Sequence, residues 1–412
     1  FYEIPTYYGW SNNDAMTAFE YTFRSHKPDI LNKDYMEFTY NLLALNLDFK
    51  FGLRQRTSRG RPGKIIKYLE QGAYNALKPY HDDIVSLEPN VSNIALRRFF
   101  NNECDDGGHA RYLTVNLLST VDPTSIGRGI ETAHTMDTQT LLKDAREKAG
   151  HTPEGKVGKI EIVSDGNEGN IAWATLTAFS GNFDDVISYN NVDQNNYTND
   201  GVSWTMYLDK VVRNPSNNIK KVVLDLSING GGSVWVEHFI SSYLCGRTNP
   251  YNIPGTNTNV DYTKNHGMSQ TICNPITKSH SRYTVYANVN NSDNEVDDKD
   301  CLPSGVELWC ITSNFSFSCA NMLSCHLSEC SDCKFIGDTT GGGACYVDPC
   351  VNIGLGNAYR GSSVFHVLKN VSTLDKPVSL EEGVTPKNYI SNTPWNAYKF
   401  YDRDYLIENY IK

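Results

Sequence analysis

The chain has 412 residues, 39% hydrophobic and 20% charged, an ordinary globular composition with length for two or three domains. A net charge of −10 argues against nucleic acid as the main partner, and no apolar run is long enough to span a membrane. It begins at Phe1 without a methionine, the expectation for a mature form or an excised segment.

The first ninety residues read as mainly helical. Asn13-Asp14 is a cap for a helix over Ala15–Phe23, and Tyr35–Leu47 and Lys64–Leu77 carry apolar residues at three-to-four spacing. Between the last two lies a basic run from Arg54 to Lys64, which reads as a solvated loop, a polyanion-binding segment or a site for a trypsin-like protease. A helix over Val91–Phe100 leads into Cys104-Asp105-Asp106-Gly107-Gly108-His109, and a mixed polar stretch follows. Lys159–Val163 and Ile171–Phe179 read as a strand pair around the turn Asp165-Gly166-Asn167. Val202–Arg213 reads as a helix and Lys221–Leu226 as a buried strand. That strand runs into Asn229-Gly230-Gly231-Gly232 and a helix over Val234–Leu244. Residues 246–300 are rich in Asn, Tyr, Thr and Ser and read as an insertion or lid. Glu307–Thr312 is the next strand, Ala320–Leu327 the next helix and Lys334–Ile336 a further strand. Repeated strand–turn–helix units of this kind specify an α/β core.

Eight of the 11 cysteines fall between Cys301 and Cys350. Such clustering favours local disulfides and a secreted, extracellular protein over a metal module. Cys325-His326 with Cys330-x-x-Cys333 has zinc-like spacing, but adjacent residues rarely ligate one tetrahedral ion, so no metal or other cofactor is expected. Sequons stand at Asn90, Asn196, Asn290, Asn314 and Asn370, about the number chance would give; a glycan on Asn314 would sit four residues before Ser318.

Two turns carry the candidate chemistry. The glycines after Asn229 place backbone N–H groups at a strand's carboxyl end, where they serve either a tight turn or a developing negative charge. No Gly-Lys-Ser/Thr follows, which excludes a P-loop. Ser318 opens a helix, as an ordinary N-cap or as a nucleophile. A nucleophile needs a base. Of the ten histidines only His109 sits in a glycine-rich, acid-flanked turn; His238 and His366 fall inside a helix and a strand.

The ordered set Asp106-Gly107-Gly108-His109, Leu224-Asp225-Leu226-Ser227-Ile228-Asn229-Gly230-Gly231, Phe317-Ser318-Cys319-Ala320-Asn321 and Gly337-Asp338-Thr339-Thr340-Gly341-Gly342 resembles the C-terminal processing (tail-specific) serine proteases. The likeness covers roughly residues 90 to 390. The turn Gly341-Gly342-Gly343 lacks the lysine of the family's Ser–Lys dyad. The chain is therefore similar to the Ser-His-Glu branch, typified by the tricorn core protease and the chlamydial protease-like activity factor.

That resemblance implies a ClpP/crotonase-like α/β core of β-β-α units over residues 91–412, behind an N-terminal helical region over 1–90. It implies a protein or peptide substrate, Ser318 as nucleophile and His109 as base. Glu381, with Glu382 as the alternative, is the third member. The N–H groups of Gly231 or Gly232 and of Cys319 bind the oxyanion. Only about 45 residues separate His109 from the strand at Lys159, too few for a PDZ domain. The other reading is a non-catalytic binding or scaffold module on the same fold. A Cys319–Cys345 disulfide would clamp the serine's turn, with Cys301–Cys310 and Cys330–Cys333 as further pairings, although connectivity is not legible in a sequence.

Overall fold

Alternation in four strands builds the larger of two compact units. The computed structural model describes residues 32–411 apart from 54–55, 58–64, 67–68, 114–118, 122–125, 152–154, 167–168, 182–186, 246–267, 275–276, 286, 290–296, 344, 355–356 and 370–378. The first unit comprises residues 1–55, 67–130 and 347–362; the second comprises 56–66, 131–346 and 363–412. This partition differs from a division at residue 90: the helix Pro89–Glu103 and the turn carrying His109 belong with the N-terminal helices and a returning strand.

In the second unit, β1 (Ile160–Ser164), β2 (Asn170–Thr175), β3 (Ile219–Asp225), β4 (Glu307–Thr312), β5 (Lys334–Gly337) and β6 (Asn388–Tyr389) form one sheet in their chain order. The β1–β2 pair is antiparallel and every other pair parallel. Side chains alternate across this sheet. Ala172, Ala174, Val222, Leu224, Leu308 and Cys310 pack with α2 (Gly201–Arg213), α3 (Val234–Cys245) and α4 (Cys319–Cys330). Ile171, Trp173, Val223, Trp309 and Ile311 pack on the other face with Leu142 of α1 (Ile130–Lys148) and with Phe400, Tyr401, Leu406 and Ile411. Both faces are covered, so the strands read as nearly continuous apolar runs. Each buried Val, Leu, Ile or Phe contributes roughly 1.5–3 kcal/mol.

The first unit holds the helix Lys33–Lys50, capped by Asn32, and the helix Pro89–Glu103. Met36, Leu43, Leu47, Leu96, Phe99 and Phe100 are buried in it. Arg111–Tyr112 pairs antiparallel with Tyr359–Arg360.

Most expected elements form within a few residues of the expected bounds. Lys64–Leu77 differs: Ile65–Ile66 pairs with Arg56–Thr57, and helix begins only at Ala73. Within residues 246–300 the strands Met268–Cys273 and His280–Val285 form an antiparallel hairpin. The helix α1 falls in the stretch read as mixed polar, because its few buried residues carry a weak apolar stripe. The helix expected over Ala15–Phe23 and most of the basic run lie outside the described residues.

Candidate active site

The turn between β4 and α4 is held to the end of β3. Ser316 Oγ donates to the Leu226 carbonyl at 2.8 Å, Ser313 Oγ to that of Ser227 at 2.5 Å, and the Phe317 N–H to that of Asn229 at 3.1 Å. Asp225 is structural here. Its carboxylate accepts from the Ser227 N–H at 2.9 Å and meets Arg146 at 2.7 Å, both ends of that ion pair being buried.

Ser318 has φ +58° and ψ −121° and makes no capping hydrogen bond with its side chain. A capping serine has extended backbone and accepts from an N–H of its own helix, so the N-cap reading is set aside. The conformation costs on the order of 1–3 kcal/mol in a residue with a β-carbon. From Leu308 to Leu327 every residue is buried except Ser318. The backbone strain thus sits at the one residue in this stretch that is not buried.

The glycine turn lies against that hydroxyl. A β-carbon on Gly231 would fall 2.6 Å from Ser318 Cβ and 3.0 Å from its Oγ. A β-carbon on Gly232 would fall 2.3 Å from the Phe179 carbonyl oxygen, and φ there is +146°. The two glycines differ in what their N–H groups can do. Gly231 is buried and donates to Asn229 Oδ1 at 2.8 Å, so its N–H is already engaged. Gly232 is exposed, and no backbone carbonyl among the described residues takes its N–H or that of Cys319; both N–H groups lie against the Cys319 sulfur, a weak acceptor. Asn229, whose Nδ2 also donates to the Leu176 carbonyl at 3.0 Å, is a residue that sequence reasoning left without a role; its place in the Asn-x-Gly turn was the available signal.

The two glutamates separate sharply. Glu381 is buried, and its Oε2 accepts the Gly343 N–H at 2.9 Å; Glu382 is exposed. The Ser318 N–H donates to the Gly342 carbonyl at 2.6 Å, so the same glycine turn touches both Ser318 and Glu381. Asn321 of α4 and Thr340 reinforce this contact: Thr340 Oγ1 donates to Asn321 Oδ1 at 2.7 Å, and Asn321 Nδ2 to the Leu380 carbonyl at 3.0 Å. Ser318, Gly231, Gly232, Cys319 and Glu381 all belong to the second unit.

His109 belongs to the first unit, where its turn is tightly fixed. Asp106 Oδ1 accepts from the N–H groups of Gly108, His109 and Ala110 at 3.2, 2.8 and 2.8 Å. Ser362 Oγ donates to the other carboxylate oxygen at 2.7 Å. Arg360 donates to the carbonyls of Gly108 and His109 at 2.7 and 2.9 Å. The imidazole is buried.

The cysteines depart from expectation. Cys310, Cys319 and Cys333 carry unbridged thiols, and Cys301 Sγ acts as a thiol donor to the Asp298 carbonyl at 3.6 Å. The Cys319–Cys345 clamp, the Cys301–Cys310 bridge and the Cys330–Cys333 bridge are therefore not formed. The side chains of Cys330, Cys345 and Cys350 lie outside the described residues. Burial first, then the charge of Glu237, pushes the Cys319 thiol well up, so it stays protonated and donates to the Gly232 carbonyl at 3.2 Å. Cys325 and His326 turn to different partners, the Leu380 carbonyl and Glu237. Asn314 is 5% exposed, which leaves no room for the glycan its sequon offers.

No family model matches the chain, and no curated protein matches it significantly. Solved structures do. One is a protein of Parabacteroides merdae described as a candidate peptidase, aligned over 91% of this chain and 95% of its own at TM-score 0.52 and 16% identity. The fold is that of this peptidase-like protein. Mature CPAF in complex with lactacystin aligns over 90% of this chain and 98% of its own, with TM-score 0.47 and 12% identity. The photosystem II D1 C-terminal processing protease aligns over 61% of this chain at TM-score 0.38 and 12% identity, and the match spans about half, 51%, of that protease's length.

Proposed function

We propose that the protein is a serine endopeptidase that hydrolyses peptide bonds through an acyl-enzyme on Ser318. The observation that carries this reading is the strained, uncapped Ser318, unburied inside an otherwise buried stretch, with glycine backbone against its hydroxyl.

In this mechanism His109 takes the hydroxyl proton as Oγ attacks the substrate carbonyl, then returns it to the leaving amine; water repeats the sequence to release the acid. The assignment of His109 rests on its D-G-G-H turn, fixed by Asp106 and Arg360. Glu381 orients the imidazole in preference to Glu382, being buried and already seated on the glycine turn that touches Ser318. The N–H groups of Gly232 and Cys319 bind the oxyanion, one such donor being worth about 3 kcal/mol of barrier. The N-terminus of α4 adds a favourable dipole to the same charge.

The test is a fluorophosphonate probe, which phosphonylates an activated serine. Wild-type protein is expected to be labelled at Ser318, and Ser318→Ala to lose all labelling with its circular dichroism unchanged. Labelling that persists in the variant, or a wild type inert over a full range of pH, overturns the proposal.

A further inference from the structure

Beneath the site lies a buried polar cluster that the proposed chemistry does not use. Glu237, in the first turn of α3, is fully buried. Its Oε1 accepts from Ser241 Oγ and lies 2.9 Å from Nδ1 of His326, on α4. Its Oε2 lies 3.7 Å from Nε2 of His238, which is 2.7 Å from Nε2 of Gln270. His326, His238 and Gln270 are all buried as well.

A buried polar cluster of this kind is a poor device for stability, since taking its groups out of water costs about as much as their pairing returns. What it does supply is a defined separation between two elements. The two helices it joins both begin at the site. α3 starts two residues after Gly232, and α4 starts directly after Ser318. A second link joins the same two starting points, the Cys319 thiol donating to the Gly232 carbonyl at 3.2 Å. The distance between nucleophile and oxyanion donor thus depends on how α3 and α4 lie on each other as well as on the bonds that tie the Ser318 turn to the end of β3. Misplacement by 1 Å at such a site costs on the order of 100-fold in rate.

We propose that Glu237 and His326 are positioning residues for the Ser318 site, holding α3 and α4 so that the Gly232 N–H faces the oxygen that develops charge. This rests on the serine-nucleophile reading above. Neither residue touches substrate; both act through the two helices.

The experiment measures the rate constant of fluorophosphonate labelling and the melting temperature on the same full-length samples. The variants are Glu237→Gln, His326→Gln and the double variant Glu237→Leu/His326→Leu. Each single variant is expected to label at least about tenfold more slowly in its folded fraction. The double variant, which refills the space with apolar groups, is expected to melt at or above the wild-type temperature yet stay slow. Single variants that label at the wild-type rate overturn the inference, as does a double variant that regains full labelling, since a purely structural role predicts recovery with stability. A wild type that takes no label at all defeats the serine-nucleophile reading itself and is told apart by that result.

Discussion

Ser318 is held at a backbone conformation that a glycine adopts without strain. The strain is tolerated because both flanks are fixed: Phe317 and Ser318 donate to the Asn229 and Gly342 carbonyls, and the Ser316 hydroxyl to that of Leu226, just after β3. Ser318→Gly should therefore raise folding stability by about 1 kcal/mol, the relieved strain exceeding the added unfolded-state entropy, while ending probe labelling. Denaturant titration checks it; a lower midpoint than wild type would contradict the strain argument. The same scale separates Gly231 from Gly232. They are neighbours in one motif, but one N–H is taken by the Asn229 side chain and the other is not.

Among elements, the segment Leu380–Glu382 is a short 3-10 turn that places adjacent glutamates on opposite sides, one inward and one to solvent. Removing the Glu381 carboxylate strands the buried Gly343 N–H, a loss of about 1–3 kcal/mol. Glu381→Ala should lower both melting temperature and labelling rate. Glu382→Ala should change stability by no more than about 0.5 kcal/mol and leave labelling intact, as a surface change does. Equal effects from the two variants would undo the assignment of Glu381. The Gly341–Gly343 turn is the element that matters most here, because Ser318 and Glu381 both bond to it.

At the scale of the whole molecule, the second unit carries a buried histidine that links α3 to the Met268–Cys273 strand through Gln270. Burial lowers the affinity of His238 for a proton; the nearby Glu237 charge opposes this and His326 adds to it. A depressed folded-state value means that the unfolded chain is protonated first. The stability tied to His238 is therefore complete above the ordinary histidine value of about 6.5 and is lost as pH falls below it. Thermal melts at about pH 7, 6 and 5 should show a shallower acid slope in His238→Gln than in wild type. Parallel slopes would mean that the acid sensitivity arises elsewhere.

The sequence by itself determined five of the six strands of the main sheet, the three helices α2, α3 and α4 and the order of the four motif turns. These are local signals: period-two alternation, caps and glycines act within a few residues of where they are read. It also placed Ser318, His109, the glycine pair and the glutamate pair among the candidates. Only the tertiary structure showed that Ser318 makes no capping bond, that the Gly231 N–H is taken by Asn229, and that Glu381 is buried where Glu382 is exposed. It also overturned the disulfide clamp, buried the Asn314 sequon and put a strand at Ile65–Ile66 where a helix was expected. Each of those outcomes depends on a partner remote in the chain. Asn321 with Thr340, Glu381 with Gly343 and Cys319 with Gly232 are pairs that no local pattern announces, because packing alone brings them within hydrogen-bond reach.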